Sequence, residues 1–203
     1  MTIATDLVTS AETKPLLLDV SNTVLTVTSE QFDILCIDNP DLRLELTPNR
    51  ELIVMTPAFP ISGERNSELT FQVTAWNKQT KLGRTFDSST GYDFTEIGGG
   101  KPSPDVSWIE KSRVEGVSLE KFLSIAPDFV IELRSSTDRL SAVRTKMTEY
   151  NRLGVRLGLL INPQQKQVEI YRLGQTTEVL EFPLSVHCDD VMPGFVLDLS
   201  EIW

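Results

Sequence analysis

Three residues in the second half of the chain have types and surroundings suited to chemistry. Asp105 follows Pro104 and opens the apolar run Val106-Ser107-Trp108-Ile109. Glu132 lies inside a second run, Phe129-Val130-Ile131-Glu132-Leu133. Lys146 follows in a segment with helical spacing, residues 140–153. A carboxylate inside an apolar β-type run is costly unless it is paired or bound to a metal. If the two strands are neighbours, Asp105 and Glu132 can share one hard cation, Mg²⁺ or Mn²⁺, with the Leu133 carbonyl as a further oxygen ligand. Such an ion relieves repulsion between the acids, acidifies a bound water and stabilises charge developing on a phosphate. Successive helix residues turn by about 100°, which puts Lys146 near the edge of its helix's apolar stripe. From there the ammonium can orient or deprotonate a water, or neutralise charge on phosphate. Glu68 is a candidate to complete the metal shell. Arg134, Arg139 and Arg144 are candidates for phosphate contact.

Each of these residues also has a plainer reading. Asp105 can cap a strand or turn. Glu132 can form an ion pair with Arg134, Arg139 or Arg144. Lys146 can be a solvated helix residue paired with Glu149 or Glu45, and Glu68 a surface carboxylate of its helix. Tyr150 reads as core rather than as chemistry.

Composition narrows the alternatives. The chain has 203 residues, 40% of them hydrophobic and 24% charged, as expected of one globular domain. Cys36 and Cys188 form no CxxC pair, so they read as buried free thiols. One histidine, His187, lies in a loop-like segment and reads as structural or exposed, which argues against His-dependent hydrolase or metal chemistry. With 19 basic and 29 acidic residues the net charge is −10, which disfavours a broad nucleic-acid-coating surface but not a narrow groove. No apolar run is long enough to cross a bilayer, and Met1 to Asp6 lacks the pattern of a signal peptide, so a cytoplasmic location is expected.

The elements that must position these residues can be read in order. Residues 1–24 read as an arm, with a short strand at residues 16–18. Thr28-Ser29-Glu30-Gln31 has the form of a capping box, starting a helix that turns Phe32, Leu35 and Cys36 inward. Leu42 to Leu46 alternates apolar and charged and turns at Thr47-Pro48-Asn49-Arg50 into Leu52 to Met55, a β-hairpin. Ser62-Gly63 offers an N-cap for a helix over residues 64–82, with Leu69, Val73 and Trp76 apolar and Glu68 on an inward stripe with Phe71 and Ala75. Gly98-Gly99-Gly100 reads as a flexible tip. Strands follow at 105–109 and 128–133, then the helix over 140–153, then strands at 155–161, 167–172 and 178–182. Ile202-Trp203 anchors the tail. The expected fold class is α+β: one domain, residues 25–203, in which a mixed sheet is flanked by helices and preceded by the hairpin.

These residues in this order resemble the PD-(D/E)xK superfamily, the restriction-endonuclease-like fold. More closely, the chain resembles the Uma-two family of endonucleases, abundant in cyanobacteria. The matching parts are Leu52 to Met55, Arg65-Asn66-Ser67-Glu68, Pro104-Asp105-Val106, Phe129 to Ser135, Lys146 with Tyr150, Gly154-Val155 and Leu160-Ile161-Asn162, covering roughly Ser29 to the C-terminus. The resemblance implies a metal-dependent endonuclease acting on DNA, with Glu68 on the first core helix and with Asp105 and Glu132 as metal ligands. The superfamily pattern places a lysine two residues after the second acid. Here Arg134 stands there, so the lysine role passes to Lys146. A homodimer is expected by analogy with nucleases that cut two strands. The competing class is a non-catalytic module that keeps the fold and binds nucleic acid or protein; a hydrolase of small phosphate esters is a third.

Overall fold

In the computed structural model, which describes residues 23–203, the Thr28 hydroxyl accepts the Gln31 N–H at 3.2 Å and the Gln31 side chain accepts the Thr28 N–H at 2.9 Å. That capping box starts α1 (Ser29–Asp38), whose Phe32 is fully buried. The strand expected at residues 16–18 lies outside the described residues. Strands β1 (Arg43–Leu46) and β2 (Leu52–Met55) form the expected hairpin, with Leu46 opposite Leu52.

Helix α2 (Pro60–Thr80) begins one turn earlier than its sequence suggests. Pro60 occupies the first helical position, where its ring presets φ and no N–H is needed, so the Ser62 cap is unnecessary. Leu69 and Val73 are fully buried and Trp76 packs beside them. Phe71 is 64% exposed, so the inward stripe of Glu68, Phe71 and Ala75 is not what forms. The helix rotates to bury its 69/73/76 face instead.

The main sheet has six strands: β3 (Gly83–Asp87), β4 (Val106–Glu110), β5 (Phe129–Leu133), β6 (Leu157–Asn162), β7 (Gln167–Arg172) and β8 (Glu178–Glu181), in that spatial order. Only β5 and β6 run parallel, joined by the crossover helix α4 (Leu140–Arg152). A short helix, α3 (Lys111–Val114), follows β4, and β9 (Ser185–His187) with β10 (Val196–Asp198) forms a closing pair. This is the α+β mixed sheet with flanking helices that was expected.

The sheet separates two cores. Leu69 and Val73 of α2 pack on one face with Val106, Trp108, Phe129 and Ile131. Met147 and Tyr150 of α4 pack on the other with Val130 and Leu160. Each large apolar side chain so buried contributes roughly 1.5–3 kcal/mol. The tail is anchored as read: Ile202 is fully buried and the Trp203 indole donates to the Pro183 carbonyl at 2.9 Å. Cys188 is buried and Cys36 partly so, both as free thiols, and the His187 side chain is 73% exposed. Among the described residues no helix is long and apolar enough to cross a membrane.

Gly99 and Gly100 are buried, contrary to the expected flexible tip. Gly100 lies so close to Leu46 that a Cβ would run into the Leu46 carbonyl. This close approach lets Leu46 and Lys101 exchange backbone hydrogen bonds at 3.1 and 2.7 Å. Lys101 is itself only 2% exposed, with its ammonium 2.6 Å from Asp33 and 3.0 Å from Asp93. The hairpin is therefore clamped to the segment that leads into β4.

Candidate active site

The β4–β5 ladder decides where the two strand acids stand. Val106 pairs with Ile131 in antiparallel register, and the next step outward sets Asp105 opposite Glu132. Opposed residues share a face of the sheet with Cβ atoms about 5 Å apart. Asp105 Oδ2 accepts the Leu133 N–H at 2.8 Å, and its Oδ1 accepts the Asn66 side-chain amide from α2 at 3.2 Å. Lys146 and Tyr150 are four residues apart on α4, so both face the sheet. The Tyr150 hydroxyl donates to Glu132 Oε1 at 2.9 Å, and Lys146 Nζ lies 2.9 Å from the same oxygen.

A third acid completes the group. Glu45 Oε1 accepts Lys146 Nζ at 2.9 Å and the Ser103 N–H at 2.8 Å. Glu45 alternates with Leu44 and Leu46 and reads in sequence as the solvent face of a half-buried strand. The clamp at Gly100 and Lys101 covers that face, and Glu45 is 6% exposed. Its only sequence signal was its candidacy as an ion-pair partner of Lys146. Asn66 stood in the stretch carrying the family resemblance, but nothing marked its amide as a contact for Asp105.

Two carboxylates thus share one ammonium with Asp105 beside them, so the fully ionised group of three acids and one lysine carries −2. Burial pushes the Glu132 carboxyl up to about 8; Lys146 pulls against this, while Asp105 and Glu45 reinforce it. Asp105 is raised mainly by burial, partly offset by the Leu133 N–H and Lys146. For Lys146, burial acts downward but Glu132 and Glu45 outweigh it, so the ammonium is held above its ordinary range. Burial and the nearby carboxylates keep the Tyr150 phenol well above its usual value, so it remains a neutral donor.

Other buried acids show what structural satisfaction looks like here. Asp128, at the other end of the β5 run, meets Arg113 at 2.6 Å and Arg156 at 3.3 Å and accepts the Glu110 N–H at 2.8 Å. Glu169 meets Arg144 at 2.6 Å and the Tyr171 hydroxyl at 2.8 Å. Asp128 has two cations for one acid. Among the described residues the Glu45–Asp105–Glu132 group has one cation for three, and beside it Asn66 Oδ1 is buried with no partner.

The fold brings Asp105, Glu132 and Lys146 together and enlists Leu133 through its N–H. Glu68 accepts from Gln72 at 2.9 Å and makes no hydrogen bond or ion pair with the group. Arg144 is committed to Glu169. Arg134 donates to the Asp138 carbonyl and to Asn162 Oδ1, and Arg139 is exposed at the start of α4. None of the three arginines pairs with Glu132. Among the described residues, no group of three or more His, Cys, Asp or Glu side chains stands in metal-holding geometry.

The model of the Uma2 family, described as "Putative restriction endonuclease", matches residues 29–200. The chain belongs to this family. Among solved structures it is similar to a crystal structure from Anabaena variabilis described as a "putative nuclease belonging to DUF820", with a TM-score of 0.69 and 23% identity over 78% of this chain and 88% of that one. That likeness establishes a shared fold. No curated protein matches the chain. Family membership places it generally among nucleases.

Proposed function

We propose that this chain is a metal-dependent endonuclease that hydrolyses phosphodiester bonds in DNA, with Asp105 and Glu132 as metal ligands and Lys146 as the cation facing the scissile phosphate. The observation that carries the reading is the shared ammonium: Lys146 Nζ stands 2.9 Å from both Glu132 and Glu45, with Asp105 opposite Glu132 across the ladder. The donor set suits Mg²⁺ or Mn²⁺, because Mg²⁺ is usually held by one or two carboxylates while waters and substrate phosphates complete its shell. The excess negative charge and the unpartnered Asn66 Oδ1 support the same fit. When bound, the ion supplies Lewis-acid stabilisation of the phosphate and an acidified water.

The protein's own residues divide the remaining work. Asp105 is oriented by the Leu133 N–H and the Asn66 amide, and Glu132 by the Tyr150 hydroxyl. Lys146 keeps its proton, so of its two candidate roles it performs the electrostatic one: it stabilises negative charge on the phosphate and does not take a proton from water. Glu68, whose Oε1 accepts from Gln72, is given no role in this reading. The test is nicking of supercoiled plasmid with Mg²⁺ or Mn²⁺. Wild type is expected to cleave, while Asp105→Asn, Glu132→Gln and Lys146→Met each lose at least about 100-fold, the scale of one preorganised electrostatic group. Cleavage that persists undiminished in Asp105→Asn would refute the assignment.

A further inference from the structure

At its Asp105 end the acid group meets α2 through Asn66, and the face of α2 that leads away from this contact is polar. Asn66, Thr70 and Thr74 follow at four-residue spacing and so lie along one side of the helix. Asn66 touches Asp105. Thr70 and Thr74 line a recess of about 350 Å³ with Thr85 and Asp87 of β3. Thr85 Oγ1 is buried there without a hydrogen-bond partner among the described residues. Strand β3 is the edge of the sheet among the described strands, so its outer backbone groups have no ladder partner.

Further along the same helix and strand lies a cavity of about 460 Å³ lined by Lys78, Lys81, Arg84 and Lys111, with Glu115 its single acid. Among the described residues none of these four cations is within ion-pair distance of a carboxylate, whereas Arg113, Arg144, Arg152, Arg156 and Arg172 each have one. Arg43, Arg50, Arg65, Lys121, Arg134, Arg139 and Lys166 also lack a carboxylate partner among the described residues, but Lys78, Lys81, Arg84 and Lys111 line one cavity, where their charge is concentrated for an external anion. Lys78 and Lys81 also complement the dipole at the C-terminus of α2. That role does not account for Arg84 on β3 or Lys111 on α3.

We infer that the substrate strand runs from Asp105 along the surface channel over the seam where α2 packs on the edge strand β3, across the 3.0 Å Asn77–Gly83 contacts, to this cavity, where Lys78, Lys81, Arg84 and Lys111 hold its phosphates. The inference rests on the nuclease reading and adds the path of the nucleic acid. Asn66 and Lys78 are twelve helical residues apart, about 18 Å at 1.5 Å per residue. That is about five steps of a duplex at 3.4 Å per step. The hydroxyls of Thr70, Thr74 and Thr85 lie between, as donors to sugar or phosphate oxygens.

The test is binding without cleavage. In an Asp105→Asn background in chelator, affinity for a labelled duplex and for a labelled single strand is measured by anisotropy from about 50 to 200 mM salt. The comparison is with a protein also carrying Lys78→Gln, Lys81→Gln, Arg84→Gln and Lys111→Gln. All four positions are exposed and unpaired among the described residues, so the thermal midpoint should fall by no more than the small dipole contribution of Lys78 and Lys81. Should it fall further, the Lys78→Gln/Lys111→Gln pair gives the same comparison. Each phosphate contact contributes about −0.9 to the log–log salt slope on a duplex and about −0.7 on a single strand. The four-site variant is expected to bind with a slope shallower by about 2–3.6, so that a fourfold rise in salt weakens it roughly 16- to 150-fold less than its parent. The strand type with the larger slope change is the one that follows the channel. Equal slopes with retained binding would overturn this path and leave the nuclease reading standing. No binding of either strand type by the parent would overturn both.

Discussion

Replacing Lys146 with methionine isolates the central electrostatic arrangement. Methionine keeps much of the apolar stem and removes the ammonium. The lysine side chain is 23% exposed, and those of its partners Glu132 and Glu45 are 9% and 7%. Removing one partner of a buried pair costs about 3–5 kcal/mol, because the other charge is left uncompensated. The lower end applies here, since the lysine retains some solvent contact and Glu132, raised to about 8, is already largely protonated at pH 7, which leaves Glu45 as the uncompensated charge. At roughly 2–4 °C per kcal/mol for a chain of this size, a loss near 3 kcal/mol lowers the thermal midpoint by about 6–12 °C. Calorimetric melting at pH 7 in chelator reads this directly. Adding Glu45→Gln should recover part of the loss, because the amide oxygen still accepts the Ser103 N–H while one facing charge disappears. A drop below about 1 kcal/mol, the worth of an exposed pair, or no recovery in the double variant, would refute the reasoning.

Three further outcomes follow from the same contacts. Tyr150→Phe removes the 2.9 Å bond to Glu132 and should cost about 1.5–3 kcal/mol by urea unfolding at pH 9, above the raised value of the Glu132 carboxyl, as for a hydrogen bond to a charged acceptor. Gly100→Ala drives a Cβ into the Leu46 carbonyl and should destabilise by more than about 2 kcal/mol, whereas Gly98→Ala, with φ of +75° and open space around it, should cost only about 1–2 kcal/mol; parallel thermal melts rank them. Lys101 supplies a pH dependence. Burial pushes its pKa down, but Asp33 and Asp93 outweigh this and hold it above 10.5. A folded pKa above the unfolded one gives stability that is full below pH 10.5 and is lost as pH rises beyond it. Stability measured across pH 9–12 should fall more steeply in wild type than in Lys101→Met, and parallel curves would count against the buried pair.

Much of the frame was legible because local signals agreed with global ones. The Thr28 box, the hairpin turn, the apolar run of β6 and the Leu140 to Arg152 helix each satisfy their own backbone and bury one coherent face. Asp105 and Glu132 stood out because carboxylates in apolar runs demand a partner. Their registration across β4 and β5 depends on long-range pairing that periodicity does not encode. Glu45 was harder to read, because alternation marks a strand face as outward without revealing that another segment will cover it. The Gly98-Gly99-Gly100 run misled for the same reason. Two of its glycines serve close packing against Leu46 and Phe94 rather than flexibility. For Glu68, the helix buries Leu69, Val73 and Trp76, and it is Asn66, not Glu68, that meets Asp105. Arg144 looked available for phosphate until β7 supplied Glu169.

The most direct test of the metal-centred account is titration calorimetry with Mn²⁺ on wild type, Asp105→Asn and Glu132→Gln. The account predicts binding by wild type and a loss of at least about tenfold, roughly 1.4 kcal/mol, in each variant. Absence of binding by wild type, or binding indifferent to both changes, would contradict it and leave the three carboxylates and Lys146 as an electrostatic clamp between the hairpin and the sheet.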